Sequence, residues 1–341
     1  MSAKIRLGKT RDSRTRAKPT PKEREEAALQ PATTPQKYQE FATYLLQKGY
    51  SGATIKRYAR DTEYFIVWAV KENIPIESTR YADILHYMQG KRERVKQRTI
   101  STQINGLKHY FSFLTASGQI EVNPVLQVQV KGVKRRILYP VLSKAELESL
   151  YHNFEIPAAD SPNKNQNWFK SSVKVSMRNK VMLALMIYQG LNTNELGTLT
   201  AQDIKLREGK IFIPGSRRSN ERYLKLEAHQ VLDMMEYLLT TRKQLLEQTG
   251  KQSDQLFISI GQSERFNNMI QKLMKKLAGQ NKKVISAKQI RTSVITHWLK
   301  IHNLREVQHM AGHRFVSSTE AYLVNDLEDL QEDVGKYHPI G

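Results

Sequence analysis

The sequence predicts a mainly α-helical protein with a small β-sheet, laid out as two domains. Three observations carry this. The chain has 341 residues, more than one core usually organises. Apolar residues recur at helical spacing through most of its length. The clearest paired strands are Lys210-Ile211-Phe212-Ile213 and Tyr223-Leu224-Lys225-Leu226, around a turn rich in arginine.

Composition narrows the partner. Lys+Arg is 54 against Asp+Glu 33, a net charge of +21, which calls for a polyanion, most often nucleic acid, with anionic membrane the weaker alternative. No stretch of about 18 apolar residues offers a membrane span, and the N-terminus is basic and polar where a signal peptide is apolar. With no cysteine, disulfides, thiolate zinc sites and cysteine nucleophiles are excluded. These features suit a soluble intracellular protein.

Residues 1–32 carry Lys4, Arg6, Lys9, Arg11, Arg14, Arg16 and Lys18 with little that is apolar. They read either as a solvated, disordered tail or as a basic arm that orders on DNA phosphates. Residues 33–124 read as a small all-helical domain. Tyr38, Phe41, Ala42, Tyr44 and Leu45 form a stripe that Gly49 stops. Ser51 leads into a helix with Tyr58, Tyr64, Phe65 and Trp68. Tyr81, Ile84, Leu85 and Tyr87 mark a third helix, and Ile100, Ile104, Leu107, Tyr110, Phe111 and Leu114 a fourth. Lys56, Arg57, Arg60, Arg92, Arg94, Lys96 and Arg98 give this domain a basic surface with few acids beside it, suited to backbone phosphates. Residues 125–140 read as a linker. Lys134, Arg135 and Arg136 suit a hinge crossing a DNA groove, whereas Val125, Leu126, Val128 and Val130 could pack as a short extended piece.

Residues 141–341 form the second domain and its tail. Ser143 and Glu146 make a capping box ahead of Leu147, Leu150 and Tyr151. Residues 156–172 read as a loop, and a buried helix is expected over about 178–189, closed by Gly190. Asn192 precedes Glu195 with helix-start spacing. After the hairpin come a long helix over about 228–248, an extended piece at Leu256-Phe257-Ile258, a basic helix over about 265–277, and a helix capped by Ser286 that carries Lys288 and Arg291.

Gly312-His313 then stands nine positions ahead of Tyr322. A tyrosine becomes a useful nucleophile only where its developing charge and that of its target are compensated; arginine, lysine and histidine do this on a phosphate. Taken singly, His313 could be a turn hydrogen bond and Tyr322 a core aromatic.

In order, Gly190-Leu191 with Glu195-Leu196, the hairpin, Lys288-Gln289-Ile290-Arg291 and Gly312-His313 to Tyr322 resemble the motifs of the tyrosine recombinase, or phage integrase, family. The resemblance covers about residues 34–335. It implies a helical core-binding domain and a mixed α/β catalytic domain. It also implies site-specific DNA recombination through a 3′-phosphotyrosyl bond, with a free 5′-hydroxyl and no metal or ATP. By position Tyr322 would be the nucleophile, Arg291 the phosphate clamp, and Lys288 and His313 hydrogen-bond donors. Arg217 matches the family's hairpin lysine. Double-stranded DNA would be the partner, bound by a homo-tetramer on two duplexes, with accessory DNA-bending proteins possible. The sequence departs from the family in one decisive place: Asn192 occupies the position of the first arginine, and reads more simply as a helix N-cap. Arg217, Arg218 or Arg222 would then supply the missing charge, or the chain would be a recombinase-fold DNA-binding protein with little cleavage. An RNA-binding module is a third class.

Overall fold

The computed structural model describes residues 35–133, 139–158, 162–217, 219–261 and 265–323. The chain divides into two compact units, residues 1–137 and 138–341.

The first unit is built from α1 (Pro35–Gln47), α2 (Gly52–Lys71), α3 (Tyr81–Arg92) and α4 (Gln97–Ala116). Ser51 caps α2 by accepting from the Thr54 N–H, which satisfies a donor the helix cannot use itself. Phe41, Leu45, Phe65, Ile84, Tyr87, Ile104, Leu107, Phe111 and Leu114 meet in one core, each contributing about 1.5–3 kcal/mol by leaving water. Three residues of the predicted stripes face outward instead: Tyr64, Tyr81 and Leu85 are exposed. On so short a domain the apolar arc of a helix is narrower than the run of apolar letters suggests. Val125 and Val128 are fully buried in this same core, so the start of the predicted linker is packed structure, while Leu126 is exposed. Lys134, Arg135 and Arg136 lie outside the described residues, as do the predicted arm and the tail beyond residue 323.

The second unit is organised around α6 (Asn167–Tyr188), whose residues from Met177 to Ile187 are almost all buried. Its N-terminal turns correct the expected loop over 156–172. Phe169 is buried and draws residues 167–172 into the helix; the polar letters around it hid this. The capping box of α5 (Lys144–His152) forms as expected. The long helix expected over 228–248 is three pieces: α8 (Ala228–Glu236), a π turn (Tyr237–Thr241) and α9 (Arg242–Thr249). The wider turn places Tyr237 inside the core, where its hydroxyl donates to the Leu256 carbonyl at 2.8 Å. Residues 256–258 are buried but form no strand; nearby, Gln255 makes only an isolated bridge with Thr200, and α10 (Phe266–Gln280) follows.

The sheet has three antiparallel strands in the order β1 (Ile204–Lys205), β2 (Lys210–Ile213), β3 (Arg222–Lys225). The two-residue β1 was too short to leave a period. Register pairs Ile213 with Arg222 and Ile211 with Leu224. Cross-strand partners share a face, and Ile211 and Ile213 face the core. The pleat therefore points Arg222 inward and leaves Tyr223 exposed.

Candidate active site

The site lies in the second unit, where the end of α6, the start of α7 (Thr193–Thr198), β3, α11 (Ala287–Ile301) and the turn after α12 (Leu304–Ala311) converge. Gly190 ends α6 at φ +60°, and a Cβ there would sit 2.9 Å from the Trp298 ring. Its carbonyl is free to accept from Arg291 Nη1 at 2.6 Å. Asn192 is the N-cap of α7. Its Oδ1 accepts from the N–H groups of Asn194 and Glu195, both at 2.9 Å, and Glu195 Oε2 accepts from the Asn192 N–H at 3.0 Å. Asn192 thus holds a helix start, and through it fixes the Glu195 carboxylate.

Glu195 is 5 % exposed and joins two guanidinium groups. Its Oε1 accepts from Arg222 Nη1 at 3.0 Å and its Oε2 from Arg291 Nη1 at 3.1 Å. Arg222 further donates through Nε to the Met310 carbonyl at 2.8 Å, and its buried Nη2 has no partner among the described residues. Burial draws the Arg222 guanidinium below the usual arginine range; Glu195 opposes this and Arg291 adds to it. Arg291 completes its fork with the Ala311 carbonyl at 2.7 Å and His313 Nε2 at 3.3 Å.

Gly312 closes α12 at φ +69°. A Cβ on it would lie 2.2 Å from Arg222 Nη1, so only glycine fits between the turn and that guanidinium. The hairpin loop docks on this same turn. Asn220 N donates to the Gly312 carbonyl at 2.9 Å, Ser219 bridges His313, and Arg314 Nη1 donates to the Arg217 carbonyl at 3.2 Å.

Arginine can only donate, so His313 Nε2 is the acceptor of the Arg291 contact. The proton then sits on Nδ1, which donates to Thr319 Oγ1 at 2.9 Å. Burial, then Arg291 and Arg222, lower the His313 pKa to about 4 against a small opposing pull from Glu195, which keeps the ring neutral at pH 7. Its ring stacks on Tyr322 with centroids 5.6 Å apart and planes within 13°. Tyr322 also packs on Ile295, Val307 and Ala311, just beyond α13 (Val316–Glu320).

Of the residues singled out in the sequence, Arg291, His313, Tyr322 and Arg222 come together here. Lys288 lies one turn before Arg291 on α11, is exposed, and has its Nζ 5.6 Å over the Tyr139 ring; no contact with Arg291 or His313 is seen among the described residues. Arg217 is exposed on the hairpin, and Arg218 lies outside the described residues. In the first unit, Lys56, Arg57 and Arg60 are exposed on α2, and Arg92, Arg94, Lys96 and Arg98 from the end of α3 into α4. The sequence reading gave Glu195 no role in the site. Its signal was an acid three residues after an N-cap, directly after Gly190-Leu191.

Comparison with known proteins defines the class. The model of the phage integrase family matches residues 141–328, and that of the phage integrase N-terminal SAM-like domain matches residues 38–118. The chain belongs to the phage integrase family. It is 26 % identical over 305 residues to the tyrosine recombinase XerC of Oceanobacillus iheyensis, covering 88 % of this chain and 94 % of that protein. It is 27 % identical over 303 residues to the tyrosine recombinase XerD of Pseudomonas aeruginosa, covering 87 % and 94 %. Its fold is similar to that of the XerH site-specific recombinase bound to palindromic difH substrate in a post-cleavage complex. That match has a TM-score of 0.62 and 20 % identity, over 83 % of this chain and 80 % of that one. It is also similar to a lambda integrase dimer bound to a COC′ core site, with a TM-score of 0.54 and 15 % identity, over 83 % and 96 %. Among the described residues, no helix is long and apolar enough to cross a membrane.

Proposed function

We propose that this protein is a site-specific DNA recombinase that cuts one strand with Tyr322. The observation that carries the reading is the convergence of Arg291, His313 and Tyr322: a guanidinium on the imidazole at 3.3 Å, and the imidazole stacked on the phenol. The relatives named tyrosine recombinase support it.

In this reading the scissile phosphate sits against Arg291 and takes the Nη2 donor that His313 Nε2 now accepts at 3.3 Å. A bound phosphate also brings a negative charge to His313, favouring a proton on Nε2 and turning that nitrogen into a donor to the pentacoordinate state. Lys288, one turn from Arg291, and Arg217 on the hairpin add donors from the rim. The phenolic oxygen of Tyr322 forms the bond to phosphorus as the bond to the 5′ oxygen breaks. That oxygen leaves as a hydroxyl, and the phosphotyrosyl bond keeps the energy needed for rejoining to a partner strand. No metal or nucleotide is needed. The exposed cations of α2 and of the stretch from α3 into α4 hold backbone phosphates of the duplex. Four copies would hold two duplexes, in the manner that the lambda integrase tetramer bound to a Holliday junction suggests.

A second reading rests on Asn192, which caps a helix where a phosphate-binding arginine is expected: a DNA-binding protein of the same fold that does not cut. One assay separates the two. A nicked duplex drawn from the DNA flanking the protein's own gene is incubated with the protein and resolved on a denaturing gel. The recombinase reading expects a covalent protein–DNA adduct that disappears in Tyr322→Phe. Specific binding without any adduct would establish the second reading.

A further inference from the structure

The site holds one negative and two positive buried side chains where the sequence offers no arginine at position 192. Glu195 and Arg291 alone would cancel, leaving little field for a phosphate. Arg222 is the third charge, yet it cannot meet a phosphate itself. Its side chain is 0 % exposed, its Nε and Nη1 are engaged by Met310 and Glu195, its unpartnered Nη2 is buried with the rest, and the Gly312 backbone lies so close that a Cβ would be 2.2 Å from Nη1. Arg291 is the outer member of the pair: it reaches His313, and through it the ring of Tyr322. The β2–β3 register that pairs Arg222 with Ile213 turns it into the core, and the hairpin loop beyond it is pinned to the Gly312 turn.

We propose that Arg222 is a positioning residue that neutralises Glu195 from beneath the Gly312 turn, so that the charge of Arg291 remains available to the scissile phosphate in a site whose first arginine is Asn192. This rests on the recombinase reading. It differs from direct replacement of the missing arginine, because Arg222 acts only through Glu195 and Arg291. It differs also from a plain structural strut, because what matters is the balance of charge and not the presence of the side chain.

Charge balance and strut predict opposite results in a double variant. Adduct formation on the nicked duplex is timed for the unsubstituted protein, Arg222→Gln, and Glu195→Gln combined with Arg222→Gln, alongside duplex affinity and thermal unfolding. Arg222→Gln should slow the reaction about 100-fold, the scale of losing one preorganised charge at a reacting phosphate, with duplex affinity nearly unchanged. The double variant replaces an ion pair with two amides and again leaves Arg291 uncancelled; it should cut at least about tenfold faster than Arg222→Gln. A double variant no faster than the single one overturns the proposal in favour of a strut, and an Arg222→Gln protein that cuts at the normal rate overturns it outright. Should the single variant fail to fold, the double variant decides alone: a rate within about tenfold of normal supports the proposal, and a folded protein slower than that overturns it. An unsubstituted protein that forms no adduct removes the recombinase reading itself, a different outcome from an active protein indifferent to Arg222.

Discussion

Each unit of this protein buries a carboxylate, and the two have opposite surroundings. Glu195, in the second unit, is 5 % exposed and accepts from two guanidiniums and a backbone N–H. Asp61, in the first, is 3 % exposed, and its Oδ2 has no hydrogen-bond partner among the described residues. Burial pushes the Asp61 pKa up, and the fields of Arg60, Arg57 and Lys91 only partly offset that. Asp61 in turn adds to the burial that pushes the Tyr87 phenol up. A buried charge is tolerable when paired and hydrogen-bonded and is otherwise driven toward neutrality. Glu195 is held in the candidate site, whereas Asp61 sits where α2 packs on α4, with Gly106 giving it room: a Cβ there would lie 3.2 Å from the Asp61 Cβ.

The largest effect should come from removing the paired carboxylate. Glu195→Ala leaves Arg222 and Arg291 buried beside each other without a counter-charge. Breaking a buried pair in this way costs about 3–5 kcal/mol, and here two cations are stranded. The second unit of Glu195→Ala should lose that much in denaturant unfolding, read by hydrogen exchange at its core amides, while the amides of α2 and α4 stay protected. Equal loss in both units would break the contrast.

How much of this was legible in sequence follows from the range of each signal. Ser143, Asn192 and Ser286 were readable as caps because capping is a contact over three residues, and all three cap their helices. The spacing of Gly312-His313 to Tyr322 was readable because it spans one turn and one short helix. Arg222 was only one of three candidates in an arginine-rich turn; its burial depends on which residue faces Ile213 across the sheet, which a four-residue strand does not declare. The part Glu195 plays depends on groups 27 and 96 positions away. Helix periods misled where a buried aromatic such as Phe169 sat in a polar run, and where the π turn at Tyr237–Thr241 broke the period.

Acid should separate the units next. The pKa of His313 is lowered to about 4 when folded, against about 6.5 for a free histidine. The unfolded chain therefore binds more protons between those values, so the stability His313 lends is complete above pH 6.5 and is lost as pH falls toward 4. The loss should be of the order of 3 kcal/mol at most, from the second unit alone. Asp61 has the opposite sign. With its folded pKa raised, its contribution is complete below about 4 and is lost as pH rises through the folded value. Hydrogen exchange at pH 7 and pH 5 should show the second unit weakening on acidification, and His313→Asn should flatten that fall. A second unit whose protection is unchanged between the two pH values would show that His313 titrates normally.

The smallest effect should be at Asp61 itself. A raised pKa means that the folded state disfavours the charge more than Arg60, Arg57 and Lys91 favour it. Asp61→Asn keeps the shape and removes the charge, so at pH 7 it should leave the first unit as stable as before or more stable by up to about 1 kcal/mol. Asp61→Ala differs, because it also opens space beside Gly106 and Tyr58 in the core, and should cost stability through lost packing. The pair of variants therefore splits charge from shape. If Asp61→Asn instead destabilised the first unit as much as Asp61→Ala, the carboxylate would be a paired group like Glu195, and the two buried acids would obey one rule.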